Sequence, residues 1–208
     1  MQGFSELFSN ILFSLGPVTR EVFIFFLGYI EGLPIIGSLV PGGTMAILIG
    51  SLSKDGYIAP LLAINLIALG SFLGDLTGFV FGKQLRKLEY VKKMMESEKN
   101  KKHWDVFDRH IALVIIIGKV LPVVRSTPSL FAGMRKIPIH RYAIYTLIGS
   151  YLWAVIGIYS GSALANILGD YAVPVIILTV FVLTFGSFAY NKIKKYQKGK
   201  RQTKEAVE

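Results

Sequence analysis

The sequence predicts an all-α polytopic membrane protein, with inverted repeats, two facing re-entrant helical hairpins and about three to four full transmembrane helices. Three observations carry this expectation. Of 208 residues, 52% are apolar and only 17% charged, against roughly 25% charged in soluble domains. The charges are segregated: residues 1–82 hold two basic and five acidic side chains, 83–110 hold nine and five, and the tail from 191 holds seven and two. Finally, each half of the chain has an apolar stretch interrupted by proline at a corresponding place, the pattern of transporters with inverted repeats and a binding site near the midplane.

The first fifteen residues place Phe4, Leu7, Phe8, Ile11, Leu12 and Leu15 at helical spacing, as in an amphipathic helix lying in the membrane interface. They lack the charge and cleavage-site pattern of a signal peptide, so none is expected. The stretch 22–52 is apolar but broken by Glu31-Gly32-Leu33-Pro34 and by Pro41-Gly42-Gly43. It reads either as a re-entrant hairpin opening to the outside or as a full span over 17–31 followed by a broken segment. Residues 58–82 follow with one interior charge, Asp75, and about 37 Å of helix, enough to cross.

Basic connections mark the cytoplasmic side, which places the 83–110 loop, the segment with Arg135, Lys136 and Arg141, and the 191–208 tail inside. The apolar stretch 111–132 lies between two inside connections. It must therefore enter and return on one face, with Pro122 and Pro128 as the breaks of a cytoplasm-facing hairpin. Residues 142–164 and 174–190 are further spans, joined by a turn without Lys or Arg. The expected organisation is a single transmembrane domain over 1–190, with halves 1–82 and 83–165, and a basic cytoplasmic tail.

A net charge of +10 suggests nucleic acid at first sight, but 19 of the 23 basic residues lie in the loop, the 133–141 connection and the tail, where topology accounts for them. With no cysteine there is no disulfide, thiolate metal site or cysteine nucleophile. His103, His110 and His140 all fall in connections, away from any nucleophile.

Ionisable residues inside apolar sequence remain. Glu31 and Asp75 are candidates for carrying a proton, since a charge at membrane depth is costly unless paired or hydrated; for Asp75, a place near the headgroups reads equally well. Lys119 and Arg125 flank Pro122 and need an anion, which could be Glu31, Asp75 or a phosphate. Arg125 offers a planar fork and Lys119 a compact charge, with Ser126 and Thr127 adding hydroxyls. An internal ion pair that only holds the hairpins together is the competing reading. Gly70, Gly74, Gly78 and Gly82 recur every four residues and read as a helix-packing face, and Trp104, Trp153 and the tyrosines as interfacial anchors or packing.

Taken in order, Glu31-x-x-Pro34, Pro41-Gly42, Gly50, Gly56, Gly70-x-x-x-Gly74-Asp75, Phe79, Gly82-Lys83, Lys119-x-x-Pro122-x-x-Arg125, Ala132-Gly133-Met134, Gly149-x-x-x-Trp153 and Gly161 resemble the DedA family, membrane proteins of the SNARE-associated or VTT-domain type. The resemblance implies facing re-entrant hairpins, no cofactor and lipid translocation. Members are described as flippases for undecaprenyl phosphate or phosphatidylethanolamine, often tied to the proton motive force, and eukaryotic relatives as scramblases. It assigns Glu31 to the family's membrane acidic residue and Arg125 to its second essential arginine. Two positions depart: Gly43 stands where the family has a carboxylate, and Lys119 where it has its first arginine.

The expected function is therefore transport of a phosphate-bearing lipid across the plasma membrane, with anionic headgroups and protons as partners, no nucleic acid, and the oligomeric state open. The expected location is multi-pass with a cytoplasmic C-terminus. Two alternatives stand beside it. A scaffold would use the basic loop to gather anionic lipid. A lipid phosphatase is disfavoured, because Lys119 and Arg125 are one residue too close for that class's phosphate motif and no nucleophile follows, so no enzymatic activity is expected.

Overall fold

The structure, a computed structural model, describes residues 16–34, 36–39, 42–54, 56–96, 107–120, 127–135 and 137–169, and Val175. Eight helices organise the described residues: α1 (Pro17–Gly32), α2 (Ile36–Leu39), α3 (Gly42–Lys54), α4 (Pro60–Leu85), α5 (Glu89–Glu96), α6 (Ile111–Val120), α7 (Thr127–Met134) and α8 (Ile139–Leu168). Their ends follow local chemistry. Proline opens α1 and α4 at the first helical position, where the missing N–H would have had no partner. Leu33 is extended because Pro34 follows, which stops α1. Gly169 closes α8 with φ +53°, a conformation a side chain would resist.

Pro128, expected as a break, stands at the start of a helix. Pro128 is the second residue of α7 and opens that helix, since the first turn needs no N–H from it. Pro122, Arg125 and Ser126, like Pro41 in the first half, lie outside the described residues. So do the expected amphipathic helix at 1–15 and, but for Val175, the span 174–190.

Only α4 and α8 are long and apolar enough, among the described residues, to cross a membrane; at 1.5 Å per residue they measure about 39 and 45 Å. They run antiparallel. The start of α4 packs with the end of α8 through Ala63, Ile64, Ile67, Ala154 and Ile158, joined by Ile24 of α1 and Ala46 and Ile49 of α3. The end of α4 packs with the start of α8 through the stacked rings of Phe79 and Tyr142, 4.7 Å between centroids, with Ile115 of α6 and Ala132 of α7. The shorter helices divide the two long ones between them. Along α4, α1 covers the first half and α7 the second; along α8, α6 covers the first half and α3 the second.

Glycine makes these crossings possible. A Cβ on Gly74 would overlap the Tyr29 carbonyl of α1 and stand 2.9 Å from Gly32 Cα, and one on Gly133 would stand 2.9 Å from Gly82 Cα. Backbone therefore lies on backbone where α1 and α7 cross α4, as small residues allow in membrane helices. The four-residue glycine repeat of α4 is this seam.

Candidate functional site

Between the two apolar clusters, near the middle of both long helices, lies a layer of buried polar side chains. On α4, Ser71 and Asp75 are four residues apart and share a face; on α8, Ser150 and Trp153 are three apart and share another. Lys119, in the last turn of α6, reaches into the gap between them. Its ammonium donates to Ser71 Oγ at 2.7 Å and to Ser150 Oγ at 2.7 Å, and forms an ion pair with Asp75 Oδ2. The side chains of Lys119 and Asp75 are 3% and 2% exposed, so bulk water does not screen the pair.

The local sequence makes room for this. Lys119 lies along α8 where Gly149 carries no side chain: a Cβ there would stand 3.4 Å from Lys119 Cδ and 3.5 Å from its Cβ. Ser150 commits its hydroxyl hydrogen to the Thr146 carbonyl at 2.8 Å and keeps lone pairs for the ammonium. Tyr142, one turn before Thr146 on α8, donates to the Asp75 carbonyl at 3.4 Å.

Glu31 lies in the last turn of α1, 3% exposed. Trp153 Nε1 donates to Glu31 Oε1 at 3.3 Å. Gly32 beside it is pressed against Ser71 and Gly74 of α4. Because Ser150 and Trp153 are three residues apart, the places where Lys119 and Glu31 meet α8 differ by about 4.5 Å along its axis. Glu31, Asp75 and Lys119, from three parts of the chain, thus occupy one layer. Just beyond it, Pro34 and Ser129 both converge on Gly78: a Cβ there would be 2.6 Å from Ser129 Oγ and 2.9 Å from Pro34 Cδ.

Of the residues singled out in the sequence, the structure brings together Glu31, Asp75 and Lys119. It places Asp75 in the interior, 1% exposed, with Lys119 as its cation. Thr127 opens α7, and Gly42 and Gly43 open α3. Ser71, Ser150, Tyr142 and Trp153 belong to the layer and were not singled out as functional. Their spacing was the available signal: polar groups three or four residues apart in otherwise apolar helices share a face. Trp153 is 7% exposed and is a hydrogen-bond donor to a carboxylate, not an interfacial anchor.

Two apolar antiparallel helices of spanning length around a buried ionisable layer define a helical membrane protein. Residues 40–163 match the VTT domain, and the chain belongs to that family, the DedA family of membrane proteins. It is 27% identical over 142 residues to the inner membrane protein YghB of Escherichia coli, covering 67% of this chain and 65% of YghB. It is 24% identical over 188 residues to a membrane protein of Buchnera aphidicola, 84% of this chain and 73% of that one. It is also 30% identical over 96 residues to the undecaprenyl phosphate transporter A of Bacillus subtilis, 43% of this chain and 46% of that protein. No solved structure matches the chain.

Proposed function

We propose that this protein is a carrier, not an enzyme, that moves a lipid with an anionic phosphate headgroup across the plasma membrane. The observation that carries the reading is the buried layer itself. Three ionisable side chains, from three helices, meet beside the middle of two helices of spanning length, where a charge without a task is expensive. A relative named as an undecaprenyl phosphate transporter supports the substrate class.

The working architecture is a pair of re-entrant hairpins, α1 to α3 and α6 to α7, facing each other across the layer. In its support, α6 and α7 have 10 and 8 residues, about 15 and 12 Å of helix against a hydrocarbon core of about 30 Å. The packing is also reciprocal: each long helix is covered by the first helix of its own half and the returning helix of the other. The approach of Pro34 and Ser129 to the same residue, Gly78, supports hairpins that meet there. On this reading the multi-pass chain keeps its basic loop and C-terminus in the cytoplasm.

In the mechanism, Arg125 with Ser126 and Thr127 receives the phosphate oxygens, and Lys119 joins them only by leaving Asp75. Glu31 exchanges a proton as the site alternates. Reconstitution in proteoliposomes tests this. Arg125→Ala should reduce translocation of labelled undecaprenyl phosphate at least tenfold while leaving the protein monodisperse, and an unaltered rate contradicts the assignment.

A further inference from the structure

The surroundings of Lys119 have the chemistry of a cation site. An ammonium is all donor and no acceptor, and among the described residues it donates to Ser71 Oγ and Ser150 Oγ and is ion-paired with Asp75 Oδ2. These are one anionic and two neutral hard oxygens, the donor type that binds small unpolarisable cations. Five observations make the cage a built feature. Its oxygens come from the two long helices, and Ser71 and Ser150 are both 0% exposed. Ser150 is held by its bond to Thr146. Gly149 leaves a path for the aliphatic stem. Only the cation comes from another element, the end of α6.

We propose that Ser71, Asp75 and Ser150 form a binding site for one small monovalent cation, and that the chain fills it with its own Lys119 ammonium as a tethered ion. The cage stands whatever the cargo, so the proposal does not depend on the transport reading. Its consequence for that reading is specific: while Lys119 occupies the cage no free cation enters, and whenever Lys119 withdraws, the cage takes one.

Thermal unfolding of the purified full-length protein in detergent tests this, in salts of equal ionic strength. Lys119→Ala removes the atoms of a propylammonium ion and leaves the oxygens in place. Its midpoint should rise saturably with propylammonium and with at least one of ammonium, sodium and potassium. It should not rise with tetramethylammonium, which is too large for the cage and has no N–H. The wild type should respond to all of these salts alike, and Lys119→Ala/Asp75→Asn should lose the selective response. A midpoint of Lys119→Ala that follows ionic strength alone overturns the proposal. So does recovery with propylammonium but with no smaller cation, which would reduce the cage to a packing cavity, and so does recovery that survives Asp75→Asn. Where Lys119→Ala is not recovered folded in ordinary buffer, the yield of monodisperse protein extracted in each salt is compared instead. A yield raised by the small cations over tetramethylammonium supports the site, and a yield equal in all of them contradicts it.

Discussion

Removing one member of a buried ion pair strands the other, and at Lys119 and Asp75 that cost is the dominant effect. Lys119→Met alone and Asp75→Asn alone should each destabilise by about 3–5 kcal/mol. The double variant Lys119→Met/Asp75→Asn leaves no buried charge and should cost less than the sum of the two. Denaturation of all four proteins completes the cycle, and additive losses would mean the pair is not coupled. Trp153→Phe keeps the ring packing but removes one N–H donor to Glu31, and should cost about 1 kcal/mol. On the proposed carrier reading, lipid movement should vary with pH in the wild type and not in Glu31→Gln; a pH profile retained in Glu31→Gln would move the proton elsewhere. At this scale the sequence was informative wherever a charge stood inside apolar sequence, which is why Glu31, Asp75 and Lys119 were legible. Their partnership was not, since Lys119 could have met Glu31, Asp75 or a phosphate, and only packing decides. Ser71, Ser150 and Trp153 did not read as site residues because a serine or tryptophan in a membrane helix looks the same whether it packs, anchors or donates.

Among the elements, the spans 58–82 and 142–164 correspond to α4 and α8 within a few residues, because long uncharged runs leave little choice. α8 begins at Ile139, ahead of the apolar run, since Pro138 precedes it and nothing in His140 or Arg141 breaks a helix. Proline position was harder to read: the same residue breaks a helix in its interior and starts one in its first turn, and Pro128 does the latter. The glycine seam also separates two kinds of position. At Gly149 a methyl group meets Lys119 at ordinary contact distance, so Gly149→Ala should change the unfolding midpoint little, whereas Gly149→Leu should displace the lysine stem and cost about 1–3 kcal/mol. At Gly161 even a methyl group would overlap the backbone of Ile47, so Gly161→Ala should already loosen α3 from α8. Equal midpoints for the two alanine variants would show that the crossings are less tight than described. The ion pair between Arg135 and Asp108, which joins the approach to α6 with the end of α7, is partly exposed; breaking it should cost under about 1 kcal/mol.

For the whole molecule, the central feature is an antiparallel pair of long helices whose shorter partners are exchanged between halves around one polar layer. Because the chain has no cysteine, single introduced cysteines report sidedness without background. On the proposed topology, Tyr90→Cys and His140→Cys should react with an impermeant maleimide only from the cytoplasmic side, and Ala59→Cys only from the other; labelling of Tyr90→Cys and Ala59→Cys from one side would overturn that proposal. The most direct test of the proposed carrier function compares two cargoes in vesicles holding only this protein: labelled undecaprenyl phosphate, and the same lipid as the free alcohol. Translocation of the phosphate at least tenfold faster than the alcohol, lost in Arg125→Ala, is the predicted result. Equal rates for the two lipids, or a rate for the phosphate no higher than in protein-free vesicles, would contradict the account.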